Sequence, residues 1–104
     1  MERYSARTID ELGKIAFHIE LRERLGLEVG SGLSLKPLDN ILILQVETKN
    51  DDPTQYFEAK VDEIGRITLP KELRETLGWH IKSKIAVYYV DDGMLIFKCA
   101  TMSA

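Results

Sequence analysis

Cysteine is nearly absent from the sequence, which has Cys99 alone and therefore cannot form a disulfide within one chain. No run of apolar residues approaches the roughly 20 that a membrane-spanning helix needs. The opening stretch, MERYSARTIDELG, lacks the apolar segment of a secretory signal peptide. These three absences predict a cytoplasmic protein with no membrane partner, since reduced cysteine is typical of that compartment.

Positive charge is also in short supply, with 14 lysines and arginines against 17 acidic residues and a net charge of −3. This balance argues against non-specific binding to nucleic acid, although a basic patch on an acidic protein is compatible with DNA binding. The two histidines stand alone, and Cys99 has no histidine close to it in sequence. We therefore expect no enzyme activity, no metal site and no cofactor.

What the sequence does contain is a repeat. Residues 9–26 read IDELGKIAFHIELRERLG, and residues 61–78, 52 positions later, read VDEIGRITLPKELRETLG. The two stretches align without a gap, and the positions that differ mostly keep their apolar or basic character. An agreement of this length indicates an internal duplication, which has to be recognised before the fold is interpreted.

Each copy predicts two strands, a short helix and a second hairpin. Gly13 and Gly65 suit a tight hairpin turn that needs a positive φ, and short strands are expected at 14–17 and 66–69. A helix is predicted over 71–77, with Pro70 at its first position and Gly78 as its stop. In the first copy, a histidine replaces that proline.

Each copy then ends in a second pair of strands, predicted at 33–38 and 41–46 and again at 85–90 and 94–98. Residues 47–55 are polar and show no period, so they are predicted to be a linker. The repeats are placed at 7–46 and 59–98. A unit of this size is too small to bury its own apolar strand faces. We therefore predict that both repeats interlock into a single domain over 1–104.

The stretch VDEIGRITLPKELRETLG resembles the DNA-binding domain of the AbrB/MazE/SpoVT family. The resemblance extends to the first copy through the alignment of the two repeats. It implies a mainly β fold with short helices, a swapped-hairpin β-barrel formed by two ββαββ repeats with pseudo-two-fold symmetry. It also implies binding to double-stranded DNA through basic residues on the first hairpin and near the helix.

The resemblance carries over to this sequence one basic position at a time. The family often has a second helix arginine where this chain has Glu23 and Glu75. Helix arginines can also pair with carboxylates across the fold, and Asp10 and Asp62 are the natural candidates for that structural role. The DNA-binding residues implied by the resemblance are Arg7, Lys14, Arg22, Lys60, Arg66 and Arg74.

Three functions follow from these observations. The first is a double-stranded-DNA-binding transcriptional regulator of the AbrB type. The second is a DNA-binding antitoxin of a toxin–antitoxin pair, and the third is a protein-interaction or assembly barrel without a DNA role, which the acidic balance favours. Further self-association of the chain is compatible with all three.

The side chain of Arg66 is expected to be exposed to solvent, because it follows directly on a turn.

Overall fold

The fold is described by a computed structural model that covers residues 2–46, 57–90 and 94–99. Within these residues the order strand, strand, helix, strand, strand occurs twice. That this order arose by duplication stays a prediction. The elements are β1 Glu2–Thr8, β2 Lys14–Ala16, α1 Ile19–Leu25, β3 Gly32–Leu38, β4 Ile41–Val46, β5 Phe57–Lys60, β6 Arg66–Thr68, α2 Lys71–Leu77, β7 Lys84–Tyr89 and β8 Met94–Cys99.

The strands of the two halves are interleaved. Six of them form one antiparallel sheet in the order β1-β7-β8-β4-β3-β5, and β2 pairs with β6. The pairs β3–β4 and β7–β8 are hairpins within one half. The pairs β1–β7, β4–β8, β3–β5 and β2–β6 each join one half to the other.

The strands around Gly13 do not form the tight hairpin that the sequence predicts. The turn itself forms, because the Gly13 N–H donates to the Asp10 carbonyl at 3.0 Å, and φ is +77° at the glycine. However, β1 pairs with β7 and β2 pairs with β6. This exchange sets Ile15 opposite Ile67, and both side chains are fully buried. The swapped-hairpin barrel, mainly β with two short helices, is thus confirmed.

The two helices are short and end in the same way. Each covers seven residues, and the following glycine adopts the left-handed conformation, with φ of 70° at Gly26 and 72° at Gly78. The predicted bounds of α2 are confirmed. Pro70 lies one position before the helix, with φ −54° and ψ 147°, and is not its first residue as predicted. His18 takes nearly the same extended angles before α1, so either residue can occupy this position.

Both halves contribute to one hydrophobic core. A helix of seven residues is not stable in isolation, so the packing of its buried leucines in the core stabilises it. The rings of Phe17 and Phe97, one from each half, have centroids 6.1 Å apart. Trp79 is buried, as expected for a core residue. The largest fully buried side chains include Phe97, Ile9, Ile15, Leu21, Leu33, Leu35, Leu42, Leu44, Ile67, Leu69, Leu73 and Ile85.

Some sequence predictions fall outside the described residues. The proposed linker, 47–55, and the connection at 91–93 between the last two predicted strands are among them. The division into repeats at 7–46 and 59–98 stays a prediction. Over residues 2–46, 57–90 and 94–99, no helix is long and apolar enough to cross a membrane.

Candidate nucleic-acid interface

The β2–β6 ribbon lies where the two halves cross. Its short strands pair Lys14 with Thr68 and Ala16 with Arg66. Side chains alternate between the two faces of a strand, and the isoleucine at the centre of each strand is buried. The basic side chains therefore emerge on the opposite face, away from the core.

An aspartate organises the turn before each strand of the ribbon. Oδ1 of Asp10 accepts the backbone N–H of Lys14 at 2.9 Å, and Oδ1 of Asp62 accepts that of Arg66 at 2.8 Å. A second N–H, two residues after each aspartate, donates to the same oxygen. Each aspartate thus fixes the backbone of the cation four residues ahead and leaves its Oδ2 free for another partner.

Those remaining oxygens bind cations across the crossing. Lys14 Nζ lies 3.1 Å from Asp62 Oδ2, and Arg66 Nη1 lies 3.1 Å from Asp10 Oδ2. Arg66 Nε also lies 3.1 Å from Asp62 Oδ2. We refer to Asp10, Lys14, Asp62 and Arg66 as the charged quartet. The Lys14 and Arg66 side chains are 25% and 23% exposed. The expectation of an exposed Arg66 is therefore wrong, because two carboxylates draw its guanidinium onto the ribbon.

Hydrogen bonds keep both carboxylates of the quartet ionised. For Asp62, the backbone N–H of Arg66 is the strongest influence, and with the Lys14 ammonium it lowers the pKa well below the ordinary value of 3.8, although burial opposes this. For Asp10, burial is the largest single influence and raises the pKa. The N–H groups of its own turn and the Arg66 guanidinium outweigh burial, so this pKa is also lowered.

We expect Asp62→Asn to be less stable than wild type at pH 7, and the difference to shrink in acid. A lowered folded-state pKa contributes stability above the unfolded value of 3.8 and loses it as pH falls further. The asparagine variant lacks this dependence at position 62. Urea midpoints measured from pH 7 to pH 2.5 test the prediction. Parallel profiles for the two proteins would contradict it.

The helix arginines lie against the turns of the opposite half. A Cβ placed on Gly65 would be 2.7 Å from Arg22 Cζ, and one placed on Gly13 would be 3.0 Å from Arg74 Nη2. Arg74 Nε donates to the Leu69 carbonyl at 3.0 Å. Arg22 Nε is buried and has no hydrogen-bond partner within the part of the chain that the structure describes.

The alternative pairing suggested for the helix arginines is not found in the quartet. Asp10 and Asp62 accept hydrogen bonds from Lys14 and Arg66, not from Arg22 or Arg74. The physical reason is that each turn glycine, lacking a side chain, leaves room for a guanidinium on its backbone.

Substituting these glycines should separate backbone strain from arginine displacement. Gly65→Ala and Gly78→Ala both put a side chain at positive φ, so each should cost about 1–2 kcal/mol of stability. Only Gly65→Ala should also push Arg22 aside, because nothing lies within 4 Å of a Cβ at Gly78. The Nε–H resonance of Arg22 should shift in the first variant and not in the second. Equal spectra would contradict the contact.

The remaining predicted cations take different positions. Lys60 is exposed at the end of β5 and, with Lys14 and Arg66, lines an open groove of about 550 Å³. Arg7 lies on β1 opposite Ile85, and its Nε is buried without a partner among the described residues. The structure therefore brings five of the six predicted cations to the β2–β6 ribbon, namely Lys14, Arg22, Lys60, Arg66 and Arg74. No contact among the described residues joins Arg7 to this group.

Sequence reasoning did not anticipate the apolar parts of this surface. Leu12 and Ile64, at the tips of the two turns, are each 67% exposed. Val29 and Ile64 also line the groove that holds Lys60. A signal was present in the sequence, because a large apolar residue stands in the polar turns DELG and DEIG at matched positions.

Part of the chain is similar in sequence to known proteins. Residues 58–98 match a family model described as "Antidote-toxin recognition MazE, bacterial antitoxin". A 39-residue stretch is 51% identical to the Transition state regulatory protein AbrB of Bacillus subtilis (strain 168), covering 38% of this chain and 40% of that protein. The chain thus matches less than half the length of this relative.

A solved structure is similar over most of the chain. PHS018 from Pyrococcus horikoshii, known from its solution structure, aligns over 93% of this chain and 89% of its own, with a TM-score of 0.51. The two sequences are 22% identical over this alignment. The similarity therefore supports the fold alone.

Proposed function

We propose that the chain is a double-stranded-DNA-binding transcriptional regulator of the AbrB type, and the proposal is supported by the match of residues 58–98 to the MazE family model and by the 39-residue similarity to AbrB. The observation that carries the proposal is the crossing of the halves at the β2–β6 ribbon. It gathers lysines and arginines from both halves on a protein whose net charge is −3.

The geometry of the ribbon suits the major groove of DNA. That groove admits a two-stranded β-ribbon, and lysine or arginine on it can bind phosphates or the edge of guanine. In our proposal, the outward face of β2–β6 lies against the groove. The carboxylates of Asp10 and Asp62 hold Lys14 and Arg66 at fixed angles before DNA arrives.

A second candidate, a DNA-binding antitoxin, is favoured by the description of the matching family model. It predicts a stable complex between this chain and a toxin protein when the two are produced together. DNA binding by itself does not separate it from the first candidate, because both bind DNA.

A third candidate is an assembly barrel without a DNA role. It is supported by the quartet, in which two cations are paired with two carboxylates, and by the exposed Glu23 and Glu75 on the helices. We rank it third because pairing with aspartate leaves further donors of Lys14 and Arg66 available for phosphate.

Salt dependence tests the proposal. If the ribbon and its neighbours neutralise about four to six phosphates, the logarithm of the binding constant should fall against the logarithm of salt concentration with a slope of about −4 to −5. Binding of labelled duplex DNA across a salt series measures this slope. A flat response, or no binding at low salt, would favour the assembly barrel.

We propose a cytoplasmic protein without enzyme activity or a cofactor, as the sequence predicts. Self-association beyond the single chain is compatible with the proposal, and sedimentation with and without duplex DNA would detect it.

A further inference from the structure

We propose that the two ends of the β2–β6 ribbon read different DNA sequences, so that the chain binds a non-palindromic site in one orientation. The inference rests on the proposed function. We call the end with the turn at 62–65 the Arg66 end, and the end with the turn at 10–13 the Lys14 end.

Both ends have the same backbone plan. The N–H of Gly30 donates to the Val61 carbonyl at 2.8 Å, and the N–H of Lys82 donates to the Ile9 carbonyl at 2.8 Å. Each turn is held by its own aspartate through two N–H groups. Differences between the ends therefore arise from side chains that stand at matched positions.

The first difference lies in the cation that follows each turn. The Arg66 guanidinium reaches both Asp10 and Asp62, whereas the Lys14 ammonium contacts Asp62 alone among the described residues. Arginine presents a planar fork of donors that matches two acceptors on guanine, whereas lysine is a flexible point charge. The Arg66 end is thus suited to select a guanine, and the Lys14 end is suited to a phosphate or a less strictly chosen base.

The second difference lies beside the ribbon. Lys60 lines the groove at the Arg66 end, and the matched position at the other end is Thr8, which carries no charge. A second lysine stands at the other end of the ribbon. Lys82 lies at the Lys14 end with a φ of 74°, and the matched residue at the Arg66 end is Gly30, which has no charge. Positive charge therefore stands at different places around the two turns.

The third difference concerns the helix arginines. Arg74, which lies on Gly13 at the Lys14 end, is anchored by the Leu69 carbonyl. Arg22, which lies on Gly65 at the Arg66 end, has a buried Nε with no partner within the described residues. The Arg74 guanidinium is therefore held by a backbone carbonyl through its Nε, and the Arg22 guanidinium has no such contact among the described residues.

These differences remove the reason for a palindromic site. A homodimer reads two equal half-sites because its own symmetry is mirrored in the DNA. Here the crossing of two unequal halves within one chain presents two unequal readers on a common scaffold. One bidentate arginine contact is worth about 1–3 kcal/mol of discrimination between bases, which is roughly 5- to 150-fold in affinity.

Selection from a library of random double-stranded DNA at low salt tests the inference. We expect the enriched site to have two different halves. An enriched perfect palindrome would overturn the inference and leave the proposed function standing. Failure to enrich any sequence, with no binding to duplex DNA at low salt, would overturn both.

Tethered cleavage then measures the orientation on the enriched site. An iron chelate is attached at Glu11→Cys or at Glu63→Cys, each in a Cys99→Ser background, since both glutamates are exposed on the turns. We expect each tether to cut on one side of the site, and the two tethers to cut on opposite sides. Cutting on both sides by each tether would overturn the inference.

Exchange of the two cations, Lys14 and Arg66, identifies the discriminating residue. On a palindrome built from the half-site read by the Arg66 end, Lys14→Arg should bind roughly 5- to 150-fold more tightly than wild type. Arg66→Lys should lose its preference for the guanine of that half-site, which provides a second readout if Lys14→Arg does not fold. Unchanged base preference in both variants would overturn the role of this pair.

Discussion

Residues 53–104, produced alone, should not fold as a monomer. In the intact chain, β7 pairs with β1, β8 with β4, β5 with β3 and β6 with β2. Removing the first half leaves all four strands without these partners and exposes core side chains such as Ile67 and Phe97. A second copy of the same fragment is the nearest substitute, so we expect a homodimer or an unfolded chain.

Residues 1–52 should behave similarly but dimerise less well. Pro70 has a fixed φ that reduces the freedom of the unfolded chain, and His18 at the matched position does not. Mixing the two fragments should restore a one-to-one complex, because all four strand pairs between the halves can then form. Sedimentation of each fragment and of the mixture decides the matter. Two stable monomers that ignore each other would show that the halves fold independently.

Arg66→Ala should weaken DNA binding by roughly 5- to 150-fold, the range for losing one bidentate arginine contact. The sequence alone predicts an unchanged melting temperature, since a residue after a turn is expected to be exposed. The structure changes that prediction, because the guanidinium binds Asp10 and Asp62. For a pair that is partly exposed to water, we expect the stability loss to stay under about 1 kcal/mol.

Lys98→Ala is the matched control, since Lys98 is exposed on β8, which belongs to the six-stranded sheet and not to the ribbon. It should alter neither affinity nor melting temperature measurably, because surface substitutions usually change stability by under about 0.5 kcal/mol. Equal affinities for Arg66→Ala, Lys98→Ala and wild type would remove Arg66 from the interface. An unfolded Arg66→Ala whose folded fraction binds DNA normally would make the residue purely structural.

Local features of the fold were predictable from the sequence. The bounds of α2 and the glycine that ends it follow from leucine spacing and from the need for positive φ. The partner of β1 does not follow in the same way. The turn around Gly13 is required whether β1 pairs with β2 or with β7, so a local signal cannot distinguish these arrangements.

The sequence predicts which residue types occupy the candidate site, and it does not predict which side chains surround them. Lys14 and Arg66 stand out in the sequence, but each has a carboxylate partner from the opposite half, Asp62 for Lys14 and Asp10 for Arg66. The contact between Arg66 and Asp10 spans 56 positions. Such a contact depends on the crossing of the ribbon, which no local pattern encodes. The groove beside Ile64 was missed for the same reason, because Val29 reaches it from the other half.

The interleaved strand order has a consequence for how the protein is made. Thr8, at the end of β1, pairs with Lys84, so the first strand cannot complete its pairing until most of the chain has been synthesised. At roughly 5–20 residues per second, translation of the intervening segment takes roughly 4–15 seconds. During that time β1 has no partner, and β2 has none until β6 has been synthesised. The first half therefore cannot bury its apolar faces within one chain before the second half has been made.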